Sequence, residues 1–471
     1  MGWGMGVPAE CAFETVAALG RRLRGKEFTC VELAEFFLAR TEKYGPKFNA
    51  VVTVTRDRAL SEARQADVDL KAGKDRGPLH GIPYGAKDLL NAAGYPTSWG
   101  SAPYKDQVFD EDATVVRRLK EAGAVLIAKL AMVEIAGGMG YQQANASFTG
   151  PGLCPWGPDR WSGGSSTGPG SAVAAGMCPF AIGSETWGSI MTPASFCGLS
   201  GLRPTYGRVS RHGAMALSWT LDKLGPMCRT AEDCGLVLNA MAGRDPLDPT
   251  SIDRPYAYPE KSPRKPPFRL AVLKGCVDKV QPAVKENFEK SVEVLAKMGS
   301  IVEDGLEEDI PYSAATATIL FGEMAAAHGD LVSTGKCWEL TALEDQWGGH
   351  SSQVITARDY LNAMRIRPFI QRRVDAFLSK YDAVLSPTIP NVAPPIDRPF
   401  RAYAGDVRGT NIGGAGNAAG VPAISVMNGF GESGLPTGLQ LVGRAFDENV
   451  LLAVADAYQR ATEWHLKTPA L

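Results

Sequence analysis

The sequence predicts an α/β fold, a mixed β-sheet core surrounded by α-helices, with residues 1–471 forming one domain. Three observations point that way. Short apolar runs alternate with longer stretches of helical periodicity along most of the chain. Apolar residues make up 45% and charged residues 21%, a globular balance that excludes intrinsic disorder and collagen-like structure. At 471 residues, most apolar surface can be buried without disulfide or metal staples.

The elements follow in order. Phe13, Val16, Ala17 and Leu19 to Leu23 share one helical face, and Thr29 caps a second helix carrying Val31, Leu33, Phe36, Phe37 and Leu38. Together with Arg56 to Lys71 these give a helical N-terminal segment over about 10–75, interrupted by the β-branched strand Val51-Val52-Thr53-Val54. A helix over Val115 to Ala122 precedes the strand Val125 to Ala128. Leu270 to Leu273 precedes a helix from Ala283 to Met298. Ala383 to Leu385, Ala423 to Val426 and Leu439 to Val442 read as strands, and a helix from Glu448 to Trp464 ends the pattern. Pro255 to Pro267 is a surface connection. From Ser162 to Gly213 the chain is crowded with Gly, Ser, Thr and Ala. It includes a small-residue helix from Ser171 to Gly176, and this composition predicts close backbone approaches and available N–H groups in place of core packing.

Charge excludes several functions. With 49 Lys+Arg against 51 Asp+Glu, the net charge of −2 gives no electrostatic reason for a nucleic acid or an anionic membrane as partner. Nine cysteines without CxxC spacing read as reduced thiols of a cytoplasmic protein, not as a disulfide framework or a zinc site. Met1 to Glu10 lacks a basic region followed by an apolar run, and no stretch approaches the ~18 apolar residues of a membrane span. The five histidines, 80, 212, 328, 350 and 465, are never paired at metal-ligand spacing, so neither a metal nor another cofactor is expected.

What remains is serine beside glycine, and an isolated lysine in Gly81-Ile82-Pro83-Tyr84-Gly85-Ala86-Lys87-Asp88-Leu89-Leu90. A lysine is a poor base at its reference pKa of ~10.4, but among apolar groups it prefers the neutral form and can take a proton from a serine. Taken alone, it reads first as a surface lysine at a strand end. Two patterns are weaker. Gly164-x-Ser166-x-Gly168 matches a nucleophile elbow, which needs a strand directly before it, whereas Pro155 to Arg160 read as a loop. Gly414-Ala415-Gly416-Asn417-Ala418-Ala419 matches a loose dinucleotide fingerprint, but the strand follows it.

Lys87, Gly163-Gly164-Ser165-Ser166 and Gly183-Ser184-Glu185-Thr186-Trp187-Gly188-Ser189-Ile190 together resemble the amidase signature family. The continuation Pro193 to Ser210, Asp382 to Thr388, Ala419 to Ser425 and Leu435 to Gly443 resemble it too. Ser165 and Ser189 stand 24 residues apart, as that family's pattern requires. The resemblance implies an amide hydrolase without cofactor, acting on a small-molecule amide, carbamate (urethane) or ester. In it Ser189 is the nucleophile, Ser165 the bridging serine after a cis peptide bond, and Lys87 the base. The N–H groups of Thr186, Trp187, Gly188 and Ser189 occupy the oxyanion-hole segment. Gly138 and Met139 fall in a candidate substrate-binding segment, Met132 to Tyr141, with further lining from Trp219 to Leu221 and from a variable pocket insertion over about 305–365.

The sequence departs from the family pattern at Glu185, where Asp is usual, at Trp187, where Gly is usual, and at Met191, where Arg is usual. Trp187 is expected to line the acyl pocket. These changes suit an apolar or aryl substrate over a charged amino acid. The chain also resembles the glutamyl-tRNA amidotransferase A subunits of that family. Those carry an acidic residue at the position that Thr410 occupies here; Asp406 is out of register. A free-standing hydrolase is therefore the expectation, the amidotransferase subunit the alternative, and a catalytically silent binding protein a third reading. The oligomeric state cannot be read from the sequence.

Overall fold

In the computed structural model, residues 6–307, 309–410 and 412–471 are described. Among the described residues there are thirteen strands: β1 (Val51–Val54), β2 (Pro83–Lys87), β3 (Val125–Leu130), β4 (Leu153–Cys154), β5 (Gly157–Trp161), β6 (Phe180–Glu185), β7 (Ser200–Arg203), β8 (Lys223–Cys228), β9 (Phe268–Leu273), β10 (Gly299–Asp304), β11 (Ala383–Pro387), β12 (Ala423–Phe430) and β13 (Pro436–Val442). Eleven of them form one mixed sheet in the order β1-β3-β2-β6-β8-β7-β12-β13-β11-β9-β10, while β4 and β5 pair separately. The pairings β2–β3, β2–β6, β11–β9 and β9–β10 are parallel and the other pairings of the large sheet are antiparallel. The mixed sheet within helices is thus the predicted architecture.

The N-terminal helices run Val16–Arg24, Cys30–Phe48 and Arg56–Lys71. Thr29 caps the second with the full reciprocal pattern, its side chain taking the Glu32 N–H and Glu32 returning to the Thr29 N–H. The later helices Thr114–Glu121, Pro282–Ala296 and Glu448–Thr462 lie within two residues of the expected bounds.

The small-residue region corrects the sequence reading. Every residue of β6, of β7 and of the helix Thr167–Ala174 is buried. The Gly, Ser and Ala residues here do lie in the core: their small size lets helices and strands approach closely, as expected, for example at Gly168, where a Cβ would stand 2.4 Å from the Ala131 nitrogen. A second correction concerns Gly157–Trp161, which is a strand and not a loop, although it lies outside the large sheet. The Ser166 hydroxyl after it is consumed by the Ser184 main chain, donating to its carbonyl at 3.3 Å. It is not presented as an elbow nucleophile.

Candidate active site

Lys87 ends β2, between β3 and β6. Its ammonium group is fully buried and donates to the Ser165 hydroxyl at 2.7 Å and to the Ser184 hydroxyl at 2.9 Å. Burial pulls its pKa down from 10.5 to about 7, against the opposing pull of the carboxylates of Asp222 and Glu185. At neutral pH a substantial fraction is therefore the free amine. Ser165 lies in the turn between β5 and the helix Thr167–Ala174. The Gly164–Ser165 peptide bond is cis, and the Ser165 carbonyl accepts the Val133 N–H at 3.1 Å.

Ser189 lies in the loop between β6 and the helix Met191–Cys197, with 9% of its surface exposed. Its carbonyl accepts the Ser166 N–H at 3.3 Å, which draws the two serine loops together. Among the described residues, no hydrogen bond joins the Ser189 hydroxyl to that of Ser165. Lys87 and Ser165 are thus in direct contact, and Ser189 meets them through the neighbouring main chain.

Glu185 holds the Ser189 loop from below. Its carboxylate accepts the N–H groups of Ile190 at 2.9 Å and Met191 at 3.1 Å and pairs with the Arg203 guanidinium at 2.8 Å. Burial pushes its pKa up, but Arg203, Lys223 and these donors outweigh burial and hold it at about 2. The loop is so constrained that, among the described residues, the N–H groups of Thr186, Trp187, Gly188 and Ser189 donate to nothing within the chain. Gly188 takes φ +86°, a conformation that side-chain-bearing residues rarely adopt. A run of free N–H groups beside a serine is suited to an oxyanion.

Two residues that sequence reasoning passed over complete the surroundings. Ser184 is the second partner of Lys87. Asp222 accepts the Thr186 hydroxyl and the N–H groups of Leu217 at 2.8 Å and Ser218 at 2.9 Å. It thereby ties the Ser189 loop to the loop 214–221. Ser184 carries no sequence signal, because β6 is buried throughout and shows no polar alternation that would mark it. Asp222 has none either, because its partners become neighbours only through the fold.

A cavity of about 220 Å³ opens beside Ser184 and Thr186, walled by Leu89, Ala136, Met215, Leu217 and Trp219 with Arg211 at its rim. Trp219 thus lies where the sequence reading placed pocket lining. Ala136 belongs to a turn in which it and Ile135 both take left-handed φ values, 51° and 46°. Gly138 and Met139, expected in the substrate-binding segment, are not among the residues that wall this cavity. The Gly138 N–H is spent on the Ile135 carbonyl at 3.0 Å, and Met139 is buried beside Gly348 and Gly349. Trp187 is 36% exposed, with its indole lying across Gly413 and Gly414, where a Cβ would stand 3.2 Å from the ring. It lies on the surface beside the Ser189 loop and is not a core aromatic, but it is not among the residues that wall this cavity, where pocket lining was expected. Among the described residues, no group of three or more His, Cys, Asp or Glu side chains could hold a metal, and no helix is long and apolar enough to cross a membrane.

Similarity to known proteins agrees with this geometry. The sequence profile of the amidase family matches residues 32–452. The A subunit of glutamyl-tRNA(Gln) amidotransferase from Chloroflexus aurantiacus is 38% identical, over 97% of this chain and 98% of that protein. Among solved structures, one described as a vestigial protein complex revealing the evolutionary origins of an s-triazine catabolic enzyme superposes with a TM-score of 0.87 at 29% identity. It covers 95% of this chain and 98% of its own. The peptide amidase of Stenotrophomonas maltophilia gives a TM-score of 0.83 at 30% identity, over 97% and 98% of the two chains.

Proposed function

The chain belongs to the amidase family and acts on C–N bonds, and on that premise we propose that Ser189, Ser165 and Lys87 carry the reaction through an acyl-enzyme. The observation that supports it is the buried Lys87 amine, 2.7 Å from Ser165 and held near neutrality. Ser189 attacks the substrate carbonyl carbon while its proton passes through the Ser165 hydroxyl to neutral Lys87. Charge on the carbonyl oxygen is taken up by the free N–H groups of Thr186 to Ser189, each worth ~3–4 kcal/mol of transition-state stabilisation. The C–N bond then breaks and the amine leaves with the proton returned along the same path. Water repeats the sequence on the ester, freeing the acid. The open link between the two serines is one that substrate closes, since such hydrogen bonds commonly tighten only in the complex.

The substrate divides into two readings. The curated relatives weigh toward the amidotransferase, for which the amide is glutamine and partner subunits belong to the machine. The site itself favours a free-standing hydrolase of apolar or aryl amides, carbamates or esters. Thr410 stands where an acidic residue is expected, Trp187 lies on the surface beside the Ser189 loop, and the nearest cavity sets Leu89, Met215, Leu217 and Trp219 among the polar side chains of Arg211, His212, Asp222 and Asp248. Either reading suits a cytoplasmic enzyme.

The test pairs chemistry with substrate. A fluorophosphonate probe should label wild type and not Ser189→Ala, and Ser166→Ala should keep most turnover; labelling of Ser189→Ala overturns the nucleophile. A panel of glutamine, acyl anilides, primary amides, esters and aryl carbamates then separates the readings. Turnover of the apolar members without partners supports the free hydrolase. Glutamine hydrolysis that rises on adding the other amidotransferase subunits supports the alternative.

A further inference from the structure

Opposite the nucleophile loop, the candidate site is walled by the segment Met132 to Tyr141. Its Val133 N–H holds the Ser165 carbonyl, and Tyr141 stands so close to Gly164 that a Cβ there would come within 3.1 Å of its hydroxyl. Behind this wall lies the helix Leu343–Ser352. The two are joined at a pair of carboxyl groups, Glu134 and Asp345, both with no exposed surface. The Glu134 oxygens are spent on the N–H groups of Thr341 at 2.9 Å and Ala342 at 2.8 Å, just before that helix. Neither oxygen of Asp345 has a hydrogen-bond partner among the described residues.

An ionised carboxylate without a side-chain donor, buried beside a second one and favoured only by the Tyr141 main chain, is strongly unfavourable, whereas one proton shared between them satisfies both. We propose that Asp345 and Glu134 form a positioning clamp, in which one proton shared by two buried carboxyl groups fastens the segment 340–352 to the wall that holds Ser165. The substrate-pocket consequence rests on the acyl-enzyme reading above; the clamp itself does not.

The surroundings agree. Burial first, and then the Glu134 carboxylate, push the Asp345 pKa well up, Glu344 adds to them, and the Tyr141 main chain opposes them. Of the other titratable groups on the packed elements, the Tyr141 phenol faces Asp345 and is kept neutral by burial and by that carboxyl group, His328 meets the Ala216 carbonyl at 3.0 Å, and the rest are engaged or solvent-facing. Glu323 accepts from Ser218 and Thr220, Cys337 meets His350 at 3.6 Å, Glu344 receives Gln143 at 3.1 Å, and Asp330, Lys336 and Glu339 are exposed. The sign follows from linkage. With the closed-state pKa raised above the open-state one, the clamp is tightest below the range of an exposed aspartate. It loosens by up to about tenfold per pH unit as pH climbs toward the raised value, and no further above it.

Hydrogen exchange of residues 336–352 from pH 6 to pH 8, corrected for intrinsic rates, measures this directly and needs no substrate. Opening should rise with pH by up to about tenfold per unit in wild type. It should stay flat in Asp345→Asn, whose amide donates to Glu134 at every pH. In an enzyme assay, KM should rise with pH in wild type more than in Asp345→Asn, with kcat sharing the same Lys87 limb in both. Equal pH dependence of exchange in the two proteins overturns the clamp. An inactive protein with the expected exchange behaviour overturns only the acyl-enzyme reading.

Discussion

Among single residues, the proposed chemistry turns on one amine. A lysine with its pKa lowered to about 7 is mostly charged below that pH and mostly free above it. Activity that needs the free amine should therefore rise through pH 7 and level off above it, and a kcat/KM profile without that limb removes Lys87 as base. The same shift has a sign in stability. The folded state resists protonation of Lys87 while the unfolded chain does not, so its contribution is flat below about 7 and grows as pH climbs toward 10.5. Denaturant titrations of wild type and Lys87→Met should diverge over that interval and run parallel below it. Lys87, Ser165 and Ser189 were legible in the sequence because the glycines and hydroxyl residues around them follow one familiar spacing. Ser184 and Asp345 were not. Ser184 meets Lys87 across 97 residues, and Asp345 reads as an ordinary helix-start acid until Glu134, more than two hundred residues earlier, is folded against it.

Among the elements, the strands that carry the chemistry were the hardest to see. Pro83-Tyr84-Gly85-Ala86-Lys87 and Phe180-Ala181-Ile182-Gly183-Ser184-Glu185 have little β-branched content and no polar alternation. Both lie inside the sheet and are buried on both faces, so no solvent face imposes a period on them. The amphipathic N-terminal helices, with one wet face each, were legible almost to the residue. The loop after β6 depends on Glu185 in the same hidden way. Glu185→Ala removes the acceptor for Ile190 and Met191 and leaves the Arg203 guanidinium buried without its partner. Breaking such a pair costs ~3–5 kcal/mol, which a lowered urea midpoint at constant slope would register. The freed loop should also lose ~10²–10³ in kcat as its N–H groups drift from the oxyanion. Full activity in a folded Glu185→Ala protein contradicts this role. The ionised Glu185 stabilises the fold above pH 4.5, and this contribution disappears as pH falls toward 2.

In the molecule as a whole, the sheet has two halves that meet at one antiparallel pairing, Ala423 to Ser425 of β12 against Gly201 to Arg203 of β7. Lys87, Ser165 and Ser189 all come from the first half, while the second supplies the glycines under Trp187 and Asn417, which accepts from Lys223 at 2.8 Å. The site is therefore sound only if the halves stay in register. A buried knot next to the seam keeps them so. Arg208, just past β7, donates to both oxygens of Glu448, at 2.9 and 3.3 Å, and the Thr205 N–H adds a third bond at 2.9 Å. Phe446 covers the guanidinium at 4.7 Å. Glu448 opens the helix Glu448–Thr462, which packs on β12, so this carboxylate fastens the C-terminal half to the N-terminal one. Glu448→Ala leaves the buried Arg208 cation without its counter-ion, held only by the carbonyls of Arg254 and Phe446, and the Thr205 amide without its acceptor, at a cost of ~3–5 kcal/mol. None of these groups touches the serines. The variant should consequently label with a fluorophosphonate at the wild-type rate at low temperature, yet lose labelling and far-ultraviolet dichroism together at a lower midpoint. Loss of dichroism well before loss of labelling would show that the C-terminal half melts by itself, and that the seam does not hold the site.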